Sequence, residues 1–264
     1  MNYQALCEAT RGIAVETGNF IFGKIRSVSM NKVEVKGMHN FVTAVDRASE
    51  AMIIEKLRNL VKDAGFIAEE GTLQTRGDRY NWIIDPLDGT TNFIHGAPPV
   101  AVSIALVEDN IPVLGVIYEI WMKECYYAWA GSAAYLNGAE IRVSDTPAVR
   151  DALIATGFPY QNHDRIKGFM NTIDYFFMNT HGVRRMGSAA TDLAYVACGR
   201  YDGFYEYNLS PWDVAAGAII VRQAGGTISD FSGGDDFIFG REVVAANQKI
   251  HGSFLHDVAR FMKS

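Results

Sequence analysis

The chain has 264 residues, of which 48% are hydrophobic and 20% are charged, so it is globular rather than disordered in composition. At roughly 150 residues per domain, this length allows one large domain or two fused subdomains. Its 24 basic and 30 acidic residues give a net charge of −6, which argues against a nucleic acid as the main ligand.

Two further features concern the cellular setting. The three cysteines, Cys7, Cys125 and Cys198, form no CxxC pair, which is typical of a protein in the reducing cytoplasm. The longest nearly apolar runs, at residues 100–107 and 214–221, are far shorter than the roughly 20 residues that span a bilayer. We therefore expect a cytoplasmic protein with no membrane partner.

The first third of the sequence predicts two amphipathic helices separated by a loop. Apolar residues recur at helical spacing over residues 6–20 and again over residues 51–61. Residues 32–40 are polar and contain glycine, so we expect a mobile loop there. Two short β-rich runs follow at residues 66–68 and 82–84, and each ends directly in acidic residues.

The rest of the sequence predicts a mixture of strands and helices. Residues 100–107, 113–118 and 125–129 are β-rich and separated by turn residues, which predicts an antiparallel meander. Further along we predict strands at 153–156 and 203–207 and helices at 165–179, 189–197 and 212–223. This order favours a layered α+β fold over a helix bundle or an all-β sandwich.

The strongest indication of function is the segment DPLDGTTNF at residues 85–93. Because Pro86 has no N–H group to donate, we expect the strand to end there and the chain to turn. The carboxylates of Asp85 and Asp88 can then converge on one point, with the Leu87 carbonyl as a third oxygen ligand. Such hard oxygens, without His or Cys, select magnesium, calcium or manganese over zinc.

The same segment offers donors for a phosphate group. Gly89 lets the backbone approach a ligand closely, and Thr90 and Thr91 supply hydroxyl and N–H groups. One short stretch thus combines ligands for a cation with donors for an anion.

Other acids can join this site, namely Glu69, Glu70 and Asp213. Two carboxylates about 4 Å apart repel each other by about 4 kcal/mol at an effective dielectric constant near 20, so such a cluster requires bound cations. With two or three divalent ions, the same acids become a clamp for a phosphate ester. Taken separately, each piece also has a simpler interpretation as a surface turn, a solvated strand end or an acid at a helix start.

Together, these motifs resemble the inositol monophosphatase family of magnesium-dependent, lithium-sensitive phosphomonoesterases. The likeness covers most of the chain and is carried by FVTAVD at 41–46, AEEG at 68–71, residues 85–93 and WDVAAG at 212–217. It implies a layered αβαβα sandwich of the sugar-phosphatase type that forms a homodimer. We expect an N-terminal α+β subdomain over residues 1–145 with most metal ligands, and a C-terminal α/β subdomain over residues 146–264.

The resemblance also implies roles for individual residues. The implied ligands are Glu69, Asp85 and the Leu87 carbonyl for a first magnesium ion, and Asp85, Asp88 and Asp213 for a second. Glu70 would assist, and a third ion would lie near Glu69. Thr90, backed by Asp46, would hold and deprotonate the attacking water on the first ion, while the second ion stabilises the leaving oxygen.

A further set of residues would bind the substrate. The implied set is Asp88, Gly89, Thr90, Gly187, Ser188, Ala189, Glu206 and Asp213. Glu206 would read the alcohol portion, because a buried carboxylate that accepts two hydroxyls penalises analogues lacking them. The chain departs from the family pattern at Asn40, where many relatives have Asp, and at Phe158, where some animal relatives have Ser.

We therefore expect magnesium-dependent hydrolysis of a small sugar or cyclitol phosphate monoester, with myo-inositol 1-phosphate as the leading substrate. Alternatives within the fold are fructose 1,6-bisphosphate, NADP, histidinol phosphate and adenosine 3′,5′-bisphosphate. Two alternatives lie outside this class. One is a non-catalytic metal-binding regulatory protein, and the other is a carbohydrate hydrolase that uses paired carboxylates without a metal.

Overall fold

The computed structural model describes residues 1–25, 34–37, 40–42, 44–159 and 164–262, with side chains described outside residues 26–43. The helices in these ranges are α1 (Tyr3–Phe22), α2 (Ala44–Leu57), α3 (Thr90–His95), α4 (Ile166–Asn179), α5 (Ala189–Ala197), α6 (Pro211–Gln223) and α7 (His251–Met262). The strands are β1 (Glu34–Gly37), β2 (Asn40–Val42), β3 (Gly65–Ala68), β4 (Tyr80–Asp88), β5 (Ala101–Glu108), β6 (Ile111–Glu119), β7 (Glu124–Trp129), β8 (Ala134–Leu136), β9 (Ala139–Ile141), β10 (Leu153–Thr156), β11 (Gly182–Arg184), β12 (Gly203–Tyr207), β13 (Gly226–Ser229) and β14 (Glu242–Asn247). None of the helices in these ranges combines the length and apolarity needed to cross a membrane.

Two larger sheets organise the chain. The first has seven strands in the sequential order β3 to β9, with β3 parallel to β4 and the other neighbours antiparallel. The second has five strands in the order β11-β10-β12-β14-β13, where β10 pairs in parallel with β11 and β12. The strands β1 and β2 form a separate antiparallel pair.

The alternation of side chains along β5 shows how the layers stack. Val102, Ile104 and Leu106 belong to the core shared with α1 and α2, whereas Ala105 and Val107 belong to the core shared with α5 and α6. Both sets are buried, because helices cover the two faces of this sheet.

The second sheet is also covered on both faces. Its inner face shares the core of α5 and α6, and Phe169 of α4 and Phe254 of α7 pack on its outer face with Tyr205. The order of layers is therefore helix, sheet, helix, sheet, helix, which confirms the predicted αβαβα sandwich.

Several elements coincide with their predictions, including the strands β10 and β12 and the helix α5. Two predictions were wrong. The strand β4 continues beyond Pro86 to Asp88, because a register irregularity between Asp85 and Asp88 accommodates a residue without an N–H group. The predicted loop at residues 32–40 contains strand β1 and the start of β2, while its remaining residues lie outside the described part of the chain.

Candidate active site

The irregular end of β4 brings the first two acids together. Asp85 still pairs with Ser103 of β5, and the ladder then resumes only at Asp88. Between them, the Leu87 N–H donates to Asp85 Oδ1 at 2.9 Å. Both carboxylates are largely withdrawn from solvent, with Asp85 2% and Asp88 9% exposed.

Asp213 reaches the same place from the other half of the chain. It lies in the first turn of α6, where the Ser210 N–H donates to Asp213 Oδ2 at 2.7 Å in a capping box. The Ser103 hydroxyl donates to the Trp212 carbonyl at 3.1 Å and so ties the start of α6 to β5. As a result, carboxylate oxygens of Asp85, Asp88 and Asp213 all lie within 4.8 Å of one another.

Burial and mutual repulsion shift the titration of this trio. Burial raises the pKa of Asp85 well above its usual range, and the charges of Glu69, Asp88 and Asp213 add to that effect. Burial likewise raises the pKa of Asp88 to about 6. The pKa of Asp213 rises to about 7 through burial and the Asp88 charge. Three ionised carboxylates are thus unfavourable here near neutral pH unless a cation joins them.

The trio lines a cleft of about 360 Å³ that also contains most of the other predicted site residues. The predicted residues in its wall are Glu69, Asp85, Leu87, Asp88, Gly89, Thr90, Gly187, Ser188, Ala189, Glu206 and Asp213. Among the described residues, the wall does not include Asp46 or Glu70.

The strand β3 positions Glu69 beside the trio. The Glu69 N–H donates to the Ile84 carbonyl at 3.2 Å and so extends the pairing of β3 with β4 toward Asp85. The buried Glu50 carboxylate accepts the N–H groups of Glu70 at 2.7 Å and Thr72 at 2.6 Å, which stabilises the turn that follows.

Thr90 links the cleft to Asp46. Its hydroxyl lies 3.2 Å from Asp46 Oδ1 and 3.3 Å from the Leu87 carbonyl oxygen. Asp46 is 1% exposed in the first turn of α2. Glycine suits position 89 before this threonine, because its φ is +95° and a Cβ there would lie 2.8 Å from the Pro99 carbonyl oxygen.

The start of α5 holds Asp88 from the opposite side. The Ser188 hydroxyl donates to Asp88 Oδ2 at 2.7 Å, and the Ala190 N–H donates to the same oxygen at 2.8 Å. Asn92 ties α3 to this region, since its amide donates to the carbonyls of Pro99 at 2.8 Å and Met186 at 2.9 Å. The two halves of the chain are therefore hydrogen-bonded to each other at the site.

Glu206 lies in the wall on β12 and is 7% exposed. Burial raises its pKa well above the usual range, and the charges of Asp192 and Asp213 add to this, while Arg185 opposes it. A Cβ on Gly157 would lie 2.1 Å from both Glu206 carboxylate oxygens. Glycine at position 157 therefore leaves the space that this carboxylate occupies.

Sequence reasoning missed three charged residues in the wall, Arg185, Asp192 and Arg241. Asp192 had a detectable signal, because it is the single charged residue in the otherwise apolar or neutral segment of α5. The two arginines follow no pattern in the sequence that distinguishes them from surface residues. Their position depends on long-range packing.

Comparisons with known proteins identify the family to which this chain is related. The sequence profile of the inositol monophosphatase family matches residues 2–263. A Nus factor SuhB from Pseudomonas aeruginosa is 41% identical over 247 residues, which cover 92% of this chain and 91% of the relative. An inositol-1-monophosphatase from Mesorhizobium japonicum is 39% identical over 258 residues, covering 97% and 94%.

Comparison with solved structures indicates the same family. The solved structure of an inositol monophosphatase from Anabaena (Nostoc) superposes with a TM-score of 0.85 at 35% identity, covering 98% of this chain and 97% of that one. Sequence and structure agree over nearly the whole length. The chain therefore belongs to the inositol monophosphatase family, whose members act as phosphatases on small phosphate esters.

Proposed function

We propose that this protein is a magnesium-dependent phosphatase that hydrolyses a small sugar or cyclitol phosphate monoester, with myo-inositol 1-phosphate as the leading substrate. The observation that carries this proposal is the convergence of Asp85, Asp88 and Asp213 within 4.8 Å, beside the Thr90–Asp46 pair. An acidic cleft of this kind repels a phosphate ester unless cations reverse its charge.

The donor set fits magnesium. The residues that would hold the ions are Glu69, Asp85 and the Leu87 carbonyl for one, and Asp85, Asp88 and Asp213 for another. All of these ligands are hard oxygens, and no His or Cys is found among the described residues of the cleft wall. When bound, the ions supply positive charge that activates a water molecule and stabilises the leaving oxygen.

The chain's own residues orient the reaction. Because the Thr90 hydroxyl donates to Asp46, its lone pairs are left to accept a hydrogen bond from the attacking water. Asp46 is then placed to receive the proton that Thr90 passes on. The N–H groups of Gly89 and Thr90 would donate to the phosphate at the turn before α3.

The alcohol portion of the substrate is assigned to the part of the cleft wall formed by Gly187, Ser188, Ala189 and Glu206. A cyclitol fits because its adjacent hydroxyls match a buried carboxylate acceptor. The name inositol-1-monophosphatase of the Mesorhizobium relative supports this choice over the other esters considered above.

A non-catalytic role is the second candidate, since the Pseudomonas relative is named a Nus factor. A protein that only binds a cation needs the acids but has no use for a threonine hydroxyl hydrogen-bonded to a buried carboxylate, and a protein that only binds a partner needs neither. The Thr90–Asp46 pair therefore favours the phosphatase.

A phosphate-release panel tests the proposal. The purified protein is assayed with the five candidate esters at millimolar magnesium and again with EDTA. We expect release from myo-inositol 1-phosphate that EDTA abolishes and magnesium restores. Thr90→Val should lower kcat by about 10²–10⁴-fold, as loss of a proton-transfer group does.

The control variant is Thr75→Val, because Thr75 is exposed and lies outside the cleft wall. It should keep the parental rate. Phosphate release that persists in EDTA, or no release from any ester with magnesium, would refute the proposed function.

A further inference from the structure

The buried carboxyl of Asp192 is not used by the chemistry described above. Asp192 lines the cleft and is 1% exposed. Its Oδ1 atom has no hydrogen-bond partner among the described residues. A buried polar atom without a partner destabilises the fold, and more so when it is charged. The burial of Asp192 therefore needs an explanation.

A purely structural explanation does not account for this burial. Asp192 lies in the first turn of α5, where the helix dipole stabilises an acidic side chain. An exposed acid gains this interaction without losing its hydration. The dipole therefore does not offset the burial of a carboxyl group whose Oδ1 has no partner.

The surroundings show what kind of ligand would suit this group. Burial raises the pKa of Asp192 well above its usual range, the Asp88 charge adds to the effect, and Arg185 opposes it. Arg185 is itself in the wall, with its guanidinium carbon 5.0 Å from the centroid of the Phe158 ring. The charges of Asp192 and Arg185 both act on Glu206, so the two carboxyls and the guanidinium group lie near one another in the cleft.

Such a combination matches neighbouring hydroxyl groups. The two carboxyls in the cleft wall can each accept a hydrogen bond from a different hydroxyl group of the same molecule. A simple alkyl ester has no such hydroxyl groups. A ligand hydroxyl at Asp192 Oδ1 would also remove the cost of the missing partner.

We propose that Asp192 determines specificity by accepting a hydrogen bond from a hydroxyl on the alcohol portion of the substrate, next to the hydroxyl read by Glu206. The inference rests on the proposed function and deepens it, since it makes the substrate class a polyol phosphate with at least two neighbouring free hydroxyls. An ester that lacks these hydroxyls leaves the carboxyl buried and unpaired, which selects strongly against it.

The test compares two esters that share a six-membered ring, myo-inositol 1-phosphate and cyclohexyl phosphate. Asp192→Leu keeps the approximate size but removes both oxygens. We expect kcat/KM for the inositol ester to fall by roughly 10–100-fold, mainly through KM. For cyclohexyl phosphate kcat/KM should change by less than about twofold. Asp192→Asn retains one acceptor oxygen, so its loss should lie between those of the parent and Asp192→Leu.

Thermal unfolding provides a readout besides activity. Because the variant removes a buried unpaired oxygen, Asp192→Leu should unfold at the parental temperature or above it. If this variant does not fold, Asp192→Asn carries the comparison of the two esters. The control is Asp235→Asn, since the Asp235 side chain is 92% exposed and outside the cleft.

The outcomes separate the two proposals. A parent that hydrolyses neither ester, nor any other ester of the phosphate-release panel, refutes the proposed function and with it the role of Asp192. A parent that hydrolyses other esters of the panel but not myo-inositol 1-phosphate overturns the role of Asp192 alone. If the parent prefers the inositol ester and the variants keep the same preference, the role of Asp192 alone is refuted. Equal losses on both esters would also overturn it, because a residue that reads hydroxyls cannot affect an ester that has none.

Discussion

At single acidic residues in the cleft, burial affects the pKa of the carboxyl more than local hydrogen bonds do. Asp88 accepts hydrogen bonds from the Ser188 hydroxyl and the Ala190 N–H, and both lower its pKa. Even so, burial raises that pKa from the usual 3.8 to about 6. The carboxylate form is therefore held in the metal-free protein at a cost in stability.

This cost predicts a pH dependence. A carboxyl whose pKa is higher in the folded state stabilises the fold below its unfolded pKa, and this stabilisation is lost as the pH rises through the folded value. For Asp88 this stabilisation is lost between pH 3.8 and about pH 6. For Asp213 it is lost between pH 3.8 and about pH 7. In EDTA, we expect the free energy of unfolding to be lower at pH 8 than at pH 5 by a few kcal/mol, at about 1.4 kcal/mol per pKa unit.

The variant Asp88→Asn separates stability from activity. Its amide oxygen can still accept from Ser188 and Ala190, while the charge is gone. Urea titration in EDTA at pH 8 should show the variant about 1–3 kcal/mol more stable than the parent. Its phosphate release should fall by at least about 100-fold. A variant less stable than the parent under these conditions would contradict the assigned repulsion.

At the scale of elements, the helix pair α5 and α6 positions the second half of the site. Asp213 lies in the first turn of α6, Ser188 caps α5, and the two helices pack closely. Gly217 permits this contact, because a Cβ there would lie 2.5 Å from Leu193 Cβ. The spacing of these helices therefore determines where Asp213 stands relative to Asp88.

Gly217→Ala tests this packing. Helix propensity favours alanine by about 1 kcal/mol, but a clash with an atom fixed to the neighbouring backbone costs about 1–3 kcal/mol or more. We expect net destabilisation in urea and weaker stabilisation by magnesium, because α6 must shift.

Gly12→Ala is the matched control in α1, where a Cβ would meet nothing within 4 Å. That change should stabilise the protein by about 0.5–1 kcal/mol. Equal effects of the two substitutions would show that the α5–α6 contact does not govern the site.

At the scale of the whole molecule, the acids come from both sheets and from the helices between them. Asp85 and Asp88 belong to the seven-stranded sheet, Glu206 to the five-stranded one, and α5 and α6 share a core with both. We propose a boundary between the subdomains near residue 145, between the last strand of the first sheet and the first strand of the second. The homodimer and the cytoplasmic location stay predictions.

A site assembled across the molecule exists only in the folded state, so its ligand should stabilise the fold. Magnesium at about 100 times its dissociation constant should add about 3 kcal/mol, or roughly 5–10 °C in Tm for a chain of this size. Thermal unfolding with and without magnesium measures this. Asp213→Asn should lose most of the shift and Asp235→Asn should keep it. A parental Tm that is the same with and without magnesium would contradict the proposed metal site.

Local features of this protein can be predicted from neighbouring residues along the chain. Periodicity and end signals predicted α5, β10 and β12, since these depend on neighbours along the chain. The motif at residues 85–93 and its resemblance to a family predicted which acids meet. The prediction that the strand ends at Pro86 is wrong, because a bulge depends on the partner strand β5 rather than on the proline alone.

How distant parts of the chain combine at the site follows from the packing of the sheets and helices. Ser188 and Asp88 are 100 residues apart in sequence, and their hydrogen bond depends on how two sheets and two helices pack. The burial of Asp192 and the position of Arg185 in the cleft wall depend on the same packing. The physical reason is that desolvation and repulsion between charges follow distance in space, which local sequence patterns do not encode.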